Sequence, residues 1–261
     1  MIKPYYEEKN ITIYCGDCLE VMKNIEPVDM ILTSPPYDDL RSYQGFKFDF
    51  KNIANEIFKV LKNDGILIWV TGDQTVDGSE TATSFKQAIY FKDLGFKLHD
   101  TMIYLKDPRY PDSVRYSQAF EYMFVFTKTG PKTFNPIQKK NNSSYLVKGC
   151  YNRNKNGTIT KVYRPSRGEA NMVNYWYYSA GYMKSAKDKY IFEHPAIFPE
   201  SLAMDHIISW TNENDIVLDP FLGSGATARA CKDLGRKCIG IEISKEYCDI
   251  AVKRLAQEVL F

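Results

Sequence analysis

The 261-residue chain has no apolar run near the roughly 18 residues that a membrane-crossing helix requires. Its opening Met1-Ile2-Lys3-Pro4-Tyr5 also lacks the charged and apolar regions of a signal peptide. The expected location is therefore cytoplasmic. Cysteine is scarce and scattered: of six, only Cys15 and Cys18 stand at a CxxC spacing, and no second pair follows. A structural zinc site needs four ligands at close spacing and a disulfide framework needs a regular pattern, so reduced thiols and no metal are expected. The three histidines, His99, His194 and His206, form no metal-binding or general-base pattern. Acidic residues are nearly missing from one long segment. Between Lys128 and Lys189 stand thirteen basic residues against Glu169 and Asp188, a net of +11, which leaves −9 on the remainder of a chain whose total is +2. A basic block on an acidic body fits a phosphate backbone. Nine aromatic residues in that block, Tyr151 and Trp176 among them, argue against a merely solvated, disordered run.

With 44% hydrophobic and 25% charged residues, the sequence has the material for a globular core. Its organising stretch is Thr33-Ser34-Pro35-Pro36-Tyr37, directly after the apolar run Val28 to Leu32. A strand that meets two prolines must stop pairing, because proline has no amide donor and biases its predecessor toward extended geometry. The result is a stiff loop bearing a hydroxyl, backbone carbonyls and an aromatic ring at the carboxyl end of a strand, where open α/β sheets place ligands.

Periodicity orders the remainder. Strands are expected at Ile11 to Tyr14, Val28 to Leu32, Ile66 to Val70, near Phe96 to Leu105, at Tyr122 to Thr127, at Ile216 to Leu218 and at Lys237 to Ile243. A short helix is expected around Leu19 to Ile25. Another holds Ile53 to Leu61, ended by Asn63-Asp64-Gly65 with a residue in left-handed geometry. Further helices are expected at Thr81 to Leu94, stopped by Gly95, at Pro199 to Trp210, and at Ala226 to Leu234. Alternating strands and helices predict an α/β fold with a doubly wound, mostly parallel sheet. From Gly130 to about Lys189 the pattern breaks, with turn formers at Asn141 to Ser144 and Asn152 to Gly157. That length points to a functional insertion or a small subdomain.

A second constellation follows the strand at Ile216. Asp219-Pro220-Phe221-Leu222-Gly223-Ser224-Gly225 leads into a helix, a turn that lets a ligand approach the backbone closely. Nineteen residues after Gly223 stands Glu242, at the end of the next strand, where an acid typically takes the ribose hydroxyls of an adenosine-containing ligand. The third glycine of the dinucleotide fingerprint is missing, so the turn alone also fits a close helix-to-strand contact.

Together, Asp-Pro-Phe-x-Gly-Ser-Gly, Gly240-Ile241-Glu242 and Thr33-Ser34-Pro35-Pro36-Tyr37 resemble the S-adenosylmethionine-dependent DNA amino-methyltransferases, and the order of the motifs resembles that family's β group. The resemblance covers nearly the whole chain. It implies a circularly permuted, Rossmann-like methyltransferase core of the seven-stranded type over 1–128 and 190–261, with a basic target-recognition insertion over 129–189. By the same resemblance Ser34 and the Pro35 carbonyl accept the amine hydrogens of a base flipped out of double-stranded DNA, Pro36 stiffens the loop, and Tyr37 stacks on the base. S-adenosylmethionine would be held by Asp17 at its adenine, Glu242 at its ribose and Asp219 near its methionine portion. Pro220, Gly223, Ser224 and Gly225 form the turn around it; Phe221 is either a cofactor contact or a core aromatic. His194 and Phe198, in His194-Pro195-Ala196-Ile197-Phe198-Pro199, would flank the methionine end. Candidates for DNA contact are Arg41, Lys139, Lys140, Arg153, Lys155, Arg164 and Arg167, with the asparagine-rich turns also chemically suited.

A methyltransferase acting on cytosine carbon 5 needs a Pro-Cys thiolate, and no proline here precedes a cysteine. Ser34, extended by Leu40-Arg41-Ser42-Tyr43, resembles the cytosine-N4 members; adenine N6 is the alternative target. Two further readings stand beside these, a non-enzymatic nucleic-acid-binding module and an N-methyltransferase acting on RNA or a protein amide. The resemblance also leaves room for a homodimer and for a cognate restriction endonuclease acting on the same site.

Overall fold

The computed structural model describes residues 2–36, 48–107, 113–140, 147–165, 169–179 and 198–256, with backbone alone at 140, 147–150 and 163–165. The chain opens with β1 (Tyr6–Glu8), β2 (Ile11–Cys15), α1 (Cys18–Met22), β3 (Val28–Thr33), α2 (Phe50–Val60) and β4 (Leu61–Thr71). A small hairpin, β5 (Thr75–Val76) with β6 (Ser79–Glu80), precedes α3 (Thr83–Asp93), β7 (Lys97–Leu105) and β8 (Phe120–Thr127). Four strands follow at β9 (Gln138–Lys140), β10 (Val147–Arg153), β11 (Ile159–Pro165) and β12 (Glu169–Asn171). The remainder is β13 (Tyr175–Tyr177), α4 (Glu200–Trp210), β14 (Ile216–Asp219), α5 (Ala226–Leu234), β15 (Lys237–Glu242) and α6 (Lys245–Leu255).

Nine strands form one sheet in the order β1-β2-β15-β14-β3-β4-β8-β7-β13. Seven of them are the expected core; β1 and β13 are three-residue additions at the two edges. From β2 to β4 all neighbours run parallel, and β8 alone runs against both of its partners, β4 and β7. The carboxyl-terminal strands β14 and β15 sit between β2 and β3, so the two ends of the sequence complete one sheet. The central strands are buried along their length: Met30, Ile31, Leu32 and Leu67 to Val70 have no exposed surface. Continuous apolar runs of this kind are what a parallel sheet covered on both faces requires.

The helices dock by their apolar stripes. Asp49 caps α2, accepting from Asn52 N, and Ile53, Ala54, Ile57 and Val60 turn inward. On α3 the inward side includes Gln87, whose Oε1 accepts from the indole nitrogen of buried Trp69 at 2.8 Å. Phe91 packs edge-on to Trp69 and against Phe96 and Phe126, fixing α3 to β4 and β8.

The second compact unit is Pro136–Val173. It contains two antiparallel pairs, β10 with β11 and β9 with β12. Tyr175–Tyr177, within the expected insertion, pairs in parallel with β7 in the large sheet.

One expectation is corrected. Asn63-Asp64-Gly65 does not end α2; the helix stops at Val60, Leu61 is already extended, and all three residues belong to β4. Gly65 is not left-handed. It is there for closeness: a Cβ would lie 2.8 Å from the carbonyl oxygen of Asp29 on β3 and 2.9 Å from Leu61 Cδ1. Gly65→Ala is therefore expected to force β3 and β4 apart and cost about 1–3 kcal/mol of stability, read as a lowered unfolding midpoint in urea. A midpoint equal to wild type would contradict the close approach.

Candidate active site at the carboxyl edge of the sheet

Four adjacent parallel strands, β2, β15, β14 and β3, deliver their carboxyl ends to one edge. Register places Glu242 opposite Cys15 and Asp219 opposite Gly240, so Asp17, Glu242, Asp219 and Thr33-Ser34 all emerge side by side. The two motifs separated by most of the sequence meet here through one buried side chain. Asp219 Oδ1 accepts from the Thr33 hydroxyl at 2.7 Å and from the amide of Phe221 at 3.1 Å, and Oδ2 accepts from the Thr227 hydroxyl at 2.7 Å. Burial is the largest influence on this carboxyl and pushes its pKa up to about 6, against the lowering effect of those three donors.

The turn after Asp219 is shaped by backbone needs. Gly223 and Gly225 both have left-handed φ, at 52° and 82°. At Gly225 a Cβ would stand 2.9 Å from that of Ala251 on α6, and at Gly240 one would stand 2.6 Å from Leu222. Close packing is thus part of what the glycines do. The other part is a carboxylate held by amides: Glu242 Oε2 accepts from Gly223 N at 2.8 Å and Oε1 from Ser244 N at 2.9 Å. Burial raises the Glu242 pKa, partly offset by those amides. Pro220 and Ser224 are buried, and Phe221 is half-buried with its ring edge-on to Phe48 at 5.7 Å. Gly16 N bonds to the Glu242 carbonyl at 2.9 Å, tying β2 to β15 just before exposed Asp17, which caps α1 by accepting from Leu19 N at 2.8 Å.

Beside this turn, Ser34 and Pro36 are half-buried and Pro35 is buried at the end of β3. Phe198 is half-buried just before α4. Tyr37, Arg41, His194 and Arg167 lie outside the described residues, and Lys140 and Arg164 are described by backbone alone. Lys139, Arg153 and Lys155 belong to the second unit and are exposed. Among the described residues no group of three or more His, Cys, Asp or Glu could hold a metal ion, and no helix is long and apolar enough to cross a membrane.

Comparison with known proteins decides the family. The N6/N4 family model described as DNA methylase matches residues 28–253. This chain belongs to that family. The orphan methyltransferase M.BamHII of Bacillus amyloliquefaciens is 50% identical over 252 residues, covering 94% of this chain and 92% of its own. The type II methyltransferase M.HpaI of Haemophilus parainfluenzae is 30% identical over 260 residues, covering 94% and 74%. Among solved structures, the complex of M1.HpyAVI with SAM superposes with a TM-score of 0.62 at 26% identity, over 95% of this chain and 100% of that one. The cytosine-N4-specific PvuII DNA methyltransferase shares the fold, with a TM-score of 0.68 at 21% identity over 99% and 91%. The protein is a DNA methyltransferase of the N6/N4 family.

Three residues of this DNA methylase's edge were not singled out from the sequence. Thr33 opens the first motif and Thr227 stands two residues past the second, and nothing in their type announces that they share one carboxylate. Arg254, fully buried on α6, donates to the Ser224 carbonyl at 3.2 Å and pairs with Glu200 at 2.7 Å, holding the turn from behind. It lies thirty residues beyond Ser224, with no local signal.

The Asp219 arrangement has a pH consequence. Its folded pKa of about 6 exceeds the unfolded value near 3.9, so the stability carried by the protonated form is full below about pH 4 and is lost as pH rises through about 6. The ionised form is the one that accepts all three bonds, so the rate of methyl transfer is expected to fall as pH drops through about 6. Removing a donor disfavours the ionised form, and Thr227→Val should move that inflection to higher pH. A pH–rate profile in which Thr227→Val keeps the wild-type inflection would contradict this assignment.

Proposed function

We propose that this DNA methyltransferase transfers the methyl group of S-adenosylmethionine to the exocyclic N4 amine of a cytosine flipped out of duplex DNA. The observation that carries the reading is the Thr33–Asp219 hydrogen bond. It fixes the Ser34-Pro35-Pro36 loop to the glycine turn, so that an amine acceptor and an adenosine-type cradle share one strand edge. The cradle suits the cofactor in its chemistry: a carboxylate at the end of β15, amides gathered around it, and a turn with no Cβ at Gly223 or Gly225. Glu242 would take the ribose hydroxyls and Asp17 the adenine, with Gly223, Ser224 and Gly225 passing close to the ligand. Asp219, buried beneath the turn, serves the methionine end through the loop it positions. Phe221 would contact the cofactor, and His194 and Phe198 would flank its methionine end.

Bound S-adenosylmethionine supplies an electrophilic sulfonium methyl. The chain supplies orientation and acceptors. An exocyclic amine is a poor nucleophile because its lone pair is delocalised into the ring; the Ser34 hydroxyl oxygen and the Pro35 carbonyl accept its two hydrogens and favour a pyramidal nitrogen. Pro35 and Pro36 make this acceptor pair stiff before the base arrives, so that little orientational freedom is lost at the reaction. Tyr37 stacks on the extruded ring, and the basic residues of the insertion, with Arg41, hold the phosphates. Residues 129–189 act as a target-recognition insertion in a core of 1–128 and 190–261, with Tyr175–Tyr177 of that stretch joining the core sheet. The relative called orphan, M.BamHII, favours a solitary enzyme over one paired with an endonuclease.

Purified protein incubated with duplex DNA and cofactor should yield N4-methylcytosine by mass spectrometry of the nucleosides, and N6-methyladenine alone would overturn the choice of base. Ser34→Ala should lower kcat by roughly tenfold or more, the worth of one or two kcal/mol in a polar acceptor, while cofactor affinity by calorimetry stays unchanged. A variant with wild-type kcat would remove Ser34 from the reaction.

A further inference from the structure

Strands β10 and β11 form a two-stranded ribbon in which every residue from Tyr151 to Lys161 is exposed. A hairpin left open on both faces is marginal in water, so a surface of this kind is suited to a partner. From Val147 to Pro165 the sequence holds five basic residues and no acidic one. Alternation along the strands puts four of the exposed side chains on one face. Tyr151 is opposite Lys161, whose ammonium lies 5.9 Å from the centre of the tyrosine ring, and Arg153 is opposite Ile159. Tyr151 and Ile159 are 69% and 67% exposed, a large apolar surface beside two cations.

The tip separates residues that build from residues that are left to bind. Asn154 Nδ2 donates to the hydroxyls of Thr158 and Thr160, each at 2.9 Å. Asn156 Oδ1 accepts from Thr158 N at 3.1 Å and from its hydroxyl at 2.7 Å. One end of each asparagine amide, a group that by type suits adenine edges, is thus engaged in closing a turn completed by left-handed Gly157. Among the described residues, no partner holds the guanidinium of Arg153 or the ammonium of Lys155.

We propose that this ribbon enters the major groove of duplex DNA on its Arg153 face, with Arg153 reading a guanine edge and Lys155 and Lys161 set on the flanking phosphates. The proposal rests on the DNA methylation reading above and gives its basic insertion a reading element. The major groove admits a two-stranded ribbon, and the fork of an arginine side chain matches the two acceptors that guanine presents there. Seven paired positions span roughly 20 Å, enough to follow the groove past several base pairs. Tyr151 and Ile159 supply the apolar surface that packs on base methyl groups or sugars.

The test compares wild type with Arg153→Ala, Arg153→Lys and Lys155→Ala, using methylation-sensitive sequencing of DNA from expressing cells and duplex binding at several salt concentrations. Arg153→Ala is expected to relax the preference at one position of the methylated sequence by about ten- to hundredfold. Arg153→Lys should keep the wild-type salt slope and still lose the preference, because the charge remains and the fork does not. Lys155→Ala should weaken all sites alike and reduce the slope of log affinity against log salt by about one. An Arg153→Ala enzyme with the wild-type sequence preference would overturn the proposal. So would a loss of cofactor affinity in these variants, which would place the effect in the core. If wild type itself methylates no DNA, the functional reading fails first; if wild type methylates and Arg153→Ala matches it, the ribbon assignment fails alone.

Discussion

The carboxylate of Asp219 is the constraint on which the arrangement of the site depends. Burying an ionised carboxylate costs several kcal/mol unless its oxygens are occupied, and here three donors occupy them: the Thr33 hydroxyl, the Thr227 hydroxyl and the Phe221 amide. Each donor belongs to a different piece of machinery. Thr33 is the last residue of β3 before the proline loop, Phe221 begins the glycine turn, and Thr227 is in the first turn of α5. Satisfying one charge therefore sets the relative position of the proline loop and the glycine turn. A permuted order of motifs costs nothing under this scheme, because the register of β14 beside β3 brings the two ends together whichever comes first in the chain.

A second acid, Glu242, is stabilised differently. Its oxygens take backbone amides from Gly223 and Ser244, and its nearness to Asp219 adds to the rise in its pKa. Two carboxylates side by side are tolerable because each has its own donors. The buried one holds the frame, and the half-buried one ties the glycine turn to the start of α6. Behind both, the Arg254–Glu200 pair and the contact of Gly225 with Ala251 press α6 against the turn.

Much of the fold was legible because its strands are unusually plain. Val28 to Leu32 and Ile66 to Val70 are unbroken apolar runs, and α5 begins and ends at its expected residues because Gly225 and Gly235 flank it in left-handed geometry. Where the reading departed from the structure, a tertiary contact had overridden a local rule. Gly65 looked like a helix stop, and it is a strand residue kept small by Asp29 on the neighbouring strand. Tyr175–Tyr177 carried too few residues to be heard as a strand amid a basic segment, and only the burial of Trp176 gives away its place beside β7. The proline loop and the glycine turn are contiguous stretches, so residue types and spacing marked both as strand-end turns. The bond between them left no such mark: nothing at Thr33 states that its partner stands 186 residues away. The asparagines of the ribbon tip are the converse case, chemically suited to bases yet engaged in their own turn through Asn154 Nδ2 and Asn156 Oδ1.

The central claim is that Thr33 and Thr227 act through one shared carboxylate, and a double-mutant cycle on the rate of methyl transfer tests it most directly. Thr33→Val, Thr227→Val and the double variant would be compared at a pH well above the Asp219 ionisation, with cofactor saturating. If the carboxylate loses its setting as soon as either hydroxyl is gone, the double variant will be about as slow as the slower single variant, a coupling of the size found for residues in one network. Two costs that simply multiply would contradict it, and would mean that the proline loop and the glycine turn are held in place independently.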